Sequence, residues 1–308
     1  MRKFIKTFII ASSLFAALSF AADTQMTISA NEAKGLLGKP NVVFVMGDTM
    51  DVYVNGHPAG SVVMDAHHLH HSDITGHMHC APLYMCPDEA EKFIGPKGID
   101  NNTTIIAFDD YKGPNASGVW HYFQTYGHKN VYILDGGMQQ LKAVGVPMVK
   151  GDEGNITAKK FVIKPSDIDT SMVVTKEEVL VASDDIAKNG NKSQYIIIDT
   201  RRMVEIIGTS KIDNVARGGH VPYSEFIEWT NFSDKDKKMS YKSPEEMQKV
   251  LDKYGVTKDK TIYTYCHVGV GRSSYVYSVL QKLGYKNIKV YSGSWDEWGN
   301  DFNMPIHQ

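Results

Sequence analysis

One cysteine, Cys266, ends the apolar run Thr261-Ile-Tyr-Thr-Tyr and opens the loop His267-Val268-Gly269-Val270-Gly271-Arg272. The run before it has strand character. Ser273-Ser-Tyr-Val-Tyr-Ser-Val-Leu-Gln-Lys-Leu-Gly284 after it has the period of an amphipathic helix closed by a glycine. That order predicts a sulfur at the carboxyl end of a strand, facing a loop whose N–H groups converge at a helix N-terminus. Amide and helix dipoles favour negative charge there, and therefore favour a thiolate over a thiol. Arg272 adds a fixed positive charge in the first turn, and His267 as a cation would add another. Because the thiolate is the reactive form, the chemistry expected is nucleophilic attack by sulfur.

The chain holds three cysteines, too few for a disulfide scaffold. If Cys80 and Cys86 pair, Cys266 is the odd thiol left over. A second group of chemistry-bearing residues runs from His67, His68, His70 and His71 to His77, His79, Cys80 and Cys86. Imidazole and thiol at short spacing suit copper or zinc. The spacing matches no specific metal signature, however, so a solvated loop with a Cys80–Cys86 bridge is the favoured reading.

The elements that must position these groups occur twice. Thr104-Ile-Ile-Ala-Phe-Asp109 aligns with Thr261-Ile-Tyr-Thr-Tyr-Cys266 at an offset of 157 residues, and Tyr126-Gly-His-Lys-Asn130 aligns with Leu283-Gly-Tyr-Lys-Asn287 at the same offset. Ser29-x-x-Glu32, Thr175-x-x-Glu178 and Ser243-Pro-Glu-Glu246 have the capping-box pattern that begins helices. Short apolar strands alternating with helices predict an α/β unit with a mainly parallel sheet flanked by helices, made twice. The polar stretch 150–170 is expected to link residues 26–149 to residues 171–308 across the surface. Asp109 occupies the repeat position of Cys266. A carboxylate cannot carry sulfane sulfur, so the first unit is expected to be inactive and to shape one wall of a cleft. Asp110 is a candidate cap for the helix that follows.

Together these pieces resemble the tandem rhodanese, or sulfurtransferase, family. In the second half the resemblance rests on Asp199-Thr-Arg201, Ala216-Arg217-Gly-Gly-His220-Val-Pro222, Tyr265-Cys266-x-x-Gly269-Val270 and Gly293-Ser-Trp-x-Glu-Trp-Gly299. In the first half it rests on Phe108-Asp109-Asp110, Tyr126-Gly-His-Lys-Asn130 and Leu134-Asp-Gly-Gly137. The resemblance implies transfer of sulfur from thiosulfate or a related donor to a thiophilic acceptor through a Cys266 persulfide, without metal or organic cofactor. It places Arg217 in the stretch that helps bind the donor, where a guanidinium fork suits sulfonyl or carboxylate oxygens. Arg201 is a further substrate-binding candidate, although pairing with Glu205 or a nearby carboxylate is the favoured role. His220 reads as a packed, hydrogen-bonded histidine.

Two departures keep alternatives open. The Cys-x5-Arg spacing is also that of tyrosine phosphatases and related arsenate reductases, where the arginine grips a tetrahedral oxyanion. The histidine-rich segment suggests instead an exported metal or sulfur carrier that delivers to a partner protein. A net charge of −2 gives no general field for nucleic acid. Arg2, Lys3 and Lys6 before the apolar stretch Phe8 to Phe20 predict a cleaved leader over residues 1–22, and hence a periplasmic protein. No later segment is apolar for long enough to span a bilayer.

Overall fold

A computed structural model of the chain describes residues 26–308, apart from 71, 73–74, 111–113, 213 and 238. The expected leader lies outside the described residues, as does His71. Two five-stranded sheets dominate the architecture. The first runs in the order Thr27–Ile28, Val131–Leu134, Thr104–Phe108, Val42–Met46, Val62–Val63. The second repeats it as Val173–Val174, Ile288–Tyr291, Thr261–Tyr265, Tyr195–Asp199, Glu225–Phe226. Every strand pair in both sheets is parallel. Helices flank both sheets, which is the α/β architecture the alternation predicts.

The offset of 157 residues holds at atomic detail. Helix Asn115–Thr125 corresponds to helix Arg272–Lys282, and helix Gly137–Ala143 to helix Ser294–Asn300. Even single hydrogen bonds repeat, since Met138 N–H donates to the Asp109 carbonyl and Trp295 N–H to that of Cys266. All three capping boxes form, with Ser29, Thr175 and Ser243 accepting from the backbone of Glu32, Glu178 and Glu246.

The central strands are β-branched and aromatic because both of their faces are covered. Ile196, Ile197, Ile198, Ile262 and Tyr265 are all buried. The two units are joined by more than the chain, for one apolar cluster runs from Val45 and Ile105 through Trp120 to Tyr277 and Val290. Helices Asn115–Thr125 and Arg272–Lys282 meet at its centre, where the His121 and Tyr277 rings pack edge to face at 4.5 Å.

The stretch 150–170 contains no strand, and a few of its residues anchor it along the surface. Phe161 and Ile163 are buried in the shared core, and Ile163 N–H donates to Glu91. Glu153 bonds both Lys97 and the amide of Val63. The apolar residues spaced through this polar segment pin it along the first domain.

Candidate active site

The strand Thr261–Tyr265 ends at Cys266, whose side chain is 1% exposed. The loop then turns through Gly269 at φ +73° and Gly271 at φ +103°, both in the region that favours glycine. A Cβ on Gly269 would stand 2.4 Å from the Ser292 carbonyl oxygen, so the close approach also excludes a side chain.

The motif Gly293-Ser-Trp holds the loop from below. Cys266 N–H donates to Ser294 Oγ (3.1 Å), while Trp295 and Asp296 amides donate to the carbonyls of Cys266 and His267. Ser294 sits at φ +51°, where a non-glycine residue is strained. The first domain has Gly137 at this position, at φ +57°. Serine accepts the strain because its hydroxyl supplies an acceptor that glycine lacks.

None of the amides from His267 through Arg272 donates to a described residue. These amides lie at the N-terminus of the eleven-residue helix Arg272–Lys282 and are available to an anion. Ser273 Oγ lies 3.3 Å from Cys266 Sγ and 2.8 Å from the Gly269 carbonyl oxygen. The thiol is the one free cysteine of the chain, since Cys80 and Cys86 form a disulfide.

Arg272 lines the cleft together with the thiol. Its guanidinium is bound in a fork to Glu205, at 2.6 and 3.0 Å. Burial would raise the Glu205 carboxyl, but Arg272 outweighs it and, with Arg202, holds Glu205 down at about 2. The oxyanion grip expected from Cys-x5-Arg is therefore engaged by a carboxylate of the protein itself. Burial moves His267 down to about 4, so at neutral pH it is an uncharged wall residue rather than the cation envisaged beside a thiolate.

Neither Arg217 nor Arg201 lines the cleft on which the thiol opens, and both guanidiniums are engaged by acceptors of the chain itself. The Arg217 guanidinium donates to the carbonyls of Trp298, Gly299, Asp301 and Met304, at the end of helix Ser294–Asn300. Unpaired carbonyls at a helix C-terminus draw cations, and that local demand takes the fork. Arg201 is buried against Asp199 (2.7 Å) and donates to the Gly219 carbonyl. His220 is packed as expected, its Nδ1 3.0 Å from the Ile206 carbonyl.

The thiol opens on a cleft of about 500 Å³ between the domains. His267, Val268, Val270 and Arg272 line it from the second domain; Asp48, Asp110, Pro114 and Asn115 do so from the first. Asp48 accepts from Asn115 Nδ2 and from the amide of Asp110. Burial, then the nearby Asp110 charge, push its carboxyl up to about 6. Asp109 Oδ2 lies 2.8 Å from the Ala116 amide in the first turn of helix Asn115–Thr125. Ser273, Ser294 and Asn115 are site residues that sequence reasoning missed; of the two carboxylate partners open to Arg201, it takes the nearby Asp199, while Glu205 holds Arg272.

Helix Asn115–Thr125 packs directly on the loop. A Cβ on Gly118 would lie 2.4 Å from Val270 Cγ1 and 2.7 Å from Gly271 N. Helix propensity alone makes Gly118→Ala stabilising by about 1 kcal/mol. We expect the opposite sign, a loss of about 1–3 kcal/mol in urea unfolding, because the new methyl overpacks the interface.

The histidine-rich segment is an interdomain strut. His70 is buried, with Nδ1 3.1 Å from the Ser292 carbonyl and Nε2 3.2 Å from Asp296. Ser72 donates to the same carboxylate. His67 and His68 lie near Asp65, while His77 and His79 are exposed. Among the described residues, no group of three or more His, Cys, Asp or Glu is arranged to hold a metal ion.

Fold and site together define a duplicated α/β protein with one cysteine loop at the junction of its two domains. The rhodanese-like domain model matches it twice, over residues 29–144 and 182–301, and the chain belongs to that family as a tandem member. A protein of Saccharopolyspora erythraea named "Putative thiosulfate sulfurtransferase" is 29% identical over 290 residues, covering 92% of this chain and 96% of its own. A sulfur carrier protein of Thermus thermophilus is 29% identical over 233 residues, 72% of this chain and 77% of its own. Among solved structures, the 3-mercaptopyruvate sulfotransferase of Escherichia coli has a TM-score of 0.70 at 22% identity, over 88% of this chain and 99% of that one. The anaerobic ergothioneine biosynthesis enzyme of Chlorobium limicola reaches 0.75 at 22% identity, over 92% of this chain and 70% of its own.

Proposed function

We propose that this chain is a sulfurtransferase that carries sulfane sulfur as a persulfide on Cys266. The observation that supports it best is the lone thiol on the cleft floor, within a loop whose amides are directed to no described acceptor. Cys266 thiolate attacks the outer sulfur of thiosulfate or a related donor. A new S–S bond forms, the donor's S–S bond breaks, and sulfite leaves with the electron pair. Cyanide or a thiolate then takes the outer sulfur and returns the Cys266 thiolate, so no proton or electron is left over. The loop amides and the Ser273 hydroxyl stabilise the anionic sulfur in both forms. Small sulfur donors are the substrates we assign to the cleft, and a sulfur-accepting protein is a second partner, as the name of the Thermus relative suggests. The leader over residues 1–22 and the Cys80–Cys86 disulfide support export to the periplasm.

Intact-mass measurement after exposure to thiosulfate is expected to record a gain of about 32 Da, one sulfur, on Cys266. Cyanide is expected to remove it, with ping-pong kinetics in steady state. Turnover of an aryl phosphate or arsenate without any sulfur gain would reject this reading.

A further inference from the structure

The charges around the thiol are unevenly placed. Apart from histidines, the described charged residues that line the cleft are the carboxylates Asp48, Asp110, Glu205 and Glu228 and the guanidiniums Arg202 and Arg272. Both guanidiniums bind the same carboxylate, Glu205. Asp48 stands just beyond strand Val42–Met46, at the carboxyl end of the first sheet, and is 4% exposed. Its described hydrogen-bond partners are neutral donors, the Asp110 amide and Asn115 Nδ2. Glu228 is half-buried and accepts from the Thr230 hydroxyl. Burial and the Asp110 charge already disfavour the ionised form of Asp48, so a cation brought into the cleft would relieve that strain. On the floor the sign is reversed, because the Cys266 loop presents its amides and a helix N-terminus. The cleft is therefore dipolar. At about 500 Å³ it also has room for an organic molecule, far more than an ion as small as thiosulfate fills.

From this pairing of size and charge we infer that the acceptor is a small thiol carrying an ammonium group, selected by the carboxylates of Asp48 and Glu228. The inference deepens the sulfurtransferase reading and rests on it for the sulfur that is passed on. The ammonium faces the acidic wall, and the thiol at the other end of the molecule reaches the Cys266 persulfide. The acceptor sulfur attacks the outer sulfur of that persulfide. A new S–S bond forms in the acceptor, the S–S bond at Cys266 breaks, and its electron pair returns to Cys266 as the thiolate. The one proton that the two partners share leaves on the acceptor persulfide, and no outside oxidant or reductant enters. A thiol with a carboxylate in place of the ammonium meets like charge at Asp48 and is disfavoured. Asp48 and Glu228 thus set specificity without touching the reacting atoms.

Charge selection is first read without sulfur transfer, on the one free cysteine of the chain. Wild type, Asp48→Asn and Glu228→Gln are treated with 2-aminoethyl and 2-sulfonatoethyl methanethiosulfonate, and modification of Cys266 is followed by intact mass. The two reagents differ in the charge of their tails, and their intrinsic reactivities cancel when one protein is compared with another. The cation-to-anion rate ratio is expected to fall about tenfold in Asp48→Asn and about threefold in the more exposed Glu228→Gln. The persulfide form, loaded from thiosulfate and desalted, is then offered cysteamine or 3-mercaptopropionate. The ratio of these two transfer rates should fall by the same factors. Thermal melting checks the fold of each variant. Glu228→Gln keeps an oxygen for the Thr230 hydroxyl, and it decides the matter should Asp48→Asn fail to fold. Wild-type ratios in the folded variants, in either assay, would overturn the inference. A fall in the modification ratio without any sulfur gain from thiosulfate would support the charge selection and reject the sulfurtransferase reading.

Discussion

Replacing Cys266 with serine should remove the sulfur gain completely and lower turnover by at least about 10⁴-fold, a scale typical of deleting a covalent nucleophile. The fold should survive. The change replaces sulfur by oxygen in a side chain of similar shape, and the contacts that fix residue 266 are made by its backbone, through Ser294 and Trp295. The serine hydroxyl is ionised far less readily than a thiol, and its oxygen cannot hold a sulfane sulfur reversibly. Cys80 and Cys86 are bonded to each other and offer no second carrier. Mass spectrometry of thiosulfate-treated wild type and variant checks this directly. Sulfur retained by Cys266→Ser would mean that the carrier is elsewhere.

The second large effect concerns Glu205. Removing it by Glu205→Ala strands the Arg272 guanidinium in the wall of the loop, and breaking such a pair costs about 3–5 kcal/mol. A drop of that order in urea stability is expected, together with loss of sulfur loading, since Arg272 begins the helix that carries Ser273 and Ser274. The pH dependence has a definite sign. The folded carboxyl is held at about 2, below its unfolded value, so its contribution is complete above the unfolded range and fades as pH falls. The stability gap between wild type and Glu205→Gln should be flat above about pH 5 and close between about pH 4.5 and about pH 2. Urea titrations across that range measure it, and a gap that widens on acidification would contradict the assignment.

What the chain revealed on reading was whatever depends on neighbours in sequence. The strand-to-helix passage at Cys266, the three capping boxes and the constant offset between the halves are local patterns, and all appear in the fold. What stayed hidden depends on long-range acceptors. Arg217 lies in a donor-binding stretch by resemblance, yet it is drawn to four carbonyls some eighty residues away in the chain. His70 looked like a ligand by spacing, but a carboxylate on helix Ser294–Asn300 claims it. Ser294 belongs to a sequence motif, but its role stays hidden there because a strained φ angle cannot be read from the letter Ser.

Asp109 carries a final implication. Its carboxylate stands where the other copy has sulfur, and it is bound to the amide of Ala116 at the mouth of the equivalent helix. In the first half the amide at the helix mouth thus meets a carboxylate of the chain itself, a counter-ion that cannot dissociate. That half serves as masonry for its twin, with helix Asn115–Thr125 packed on the cysteine loop.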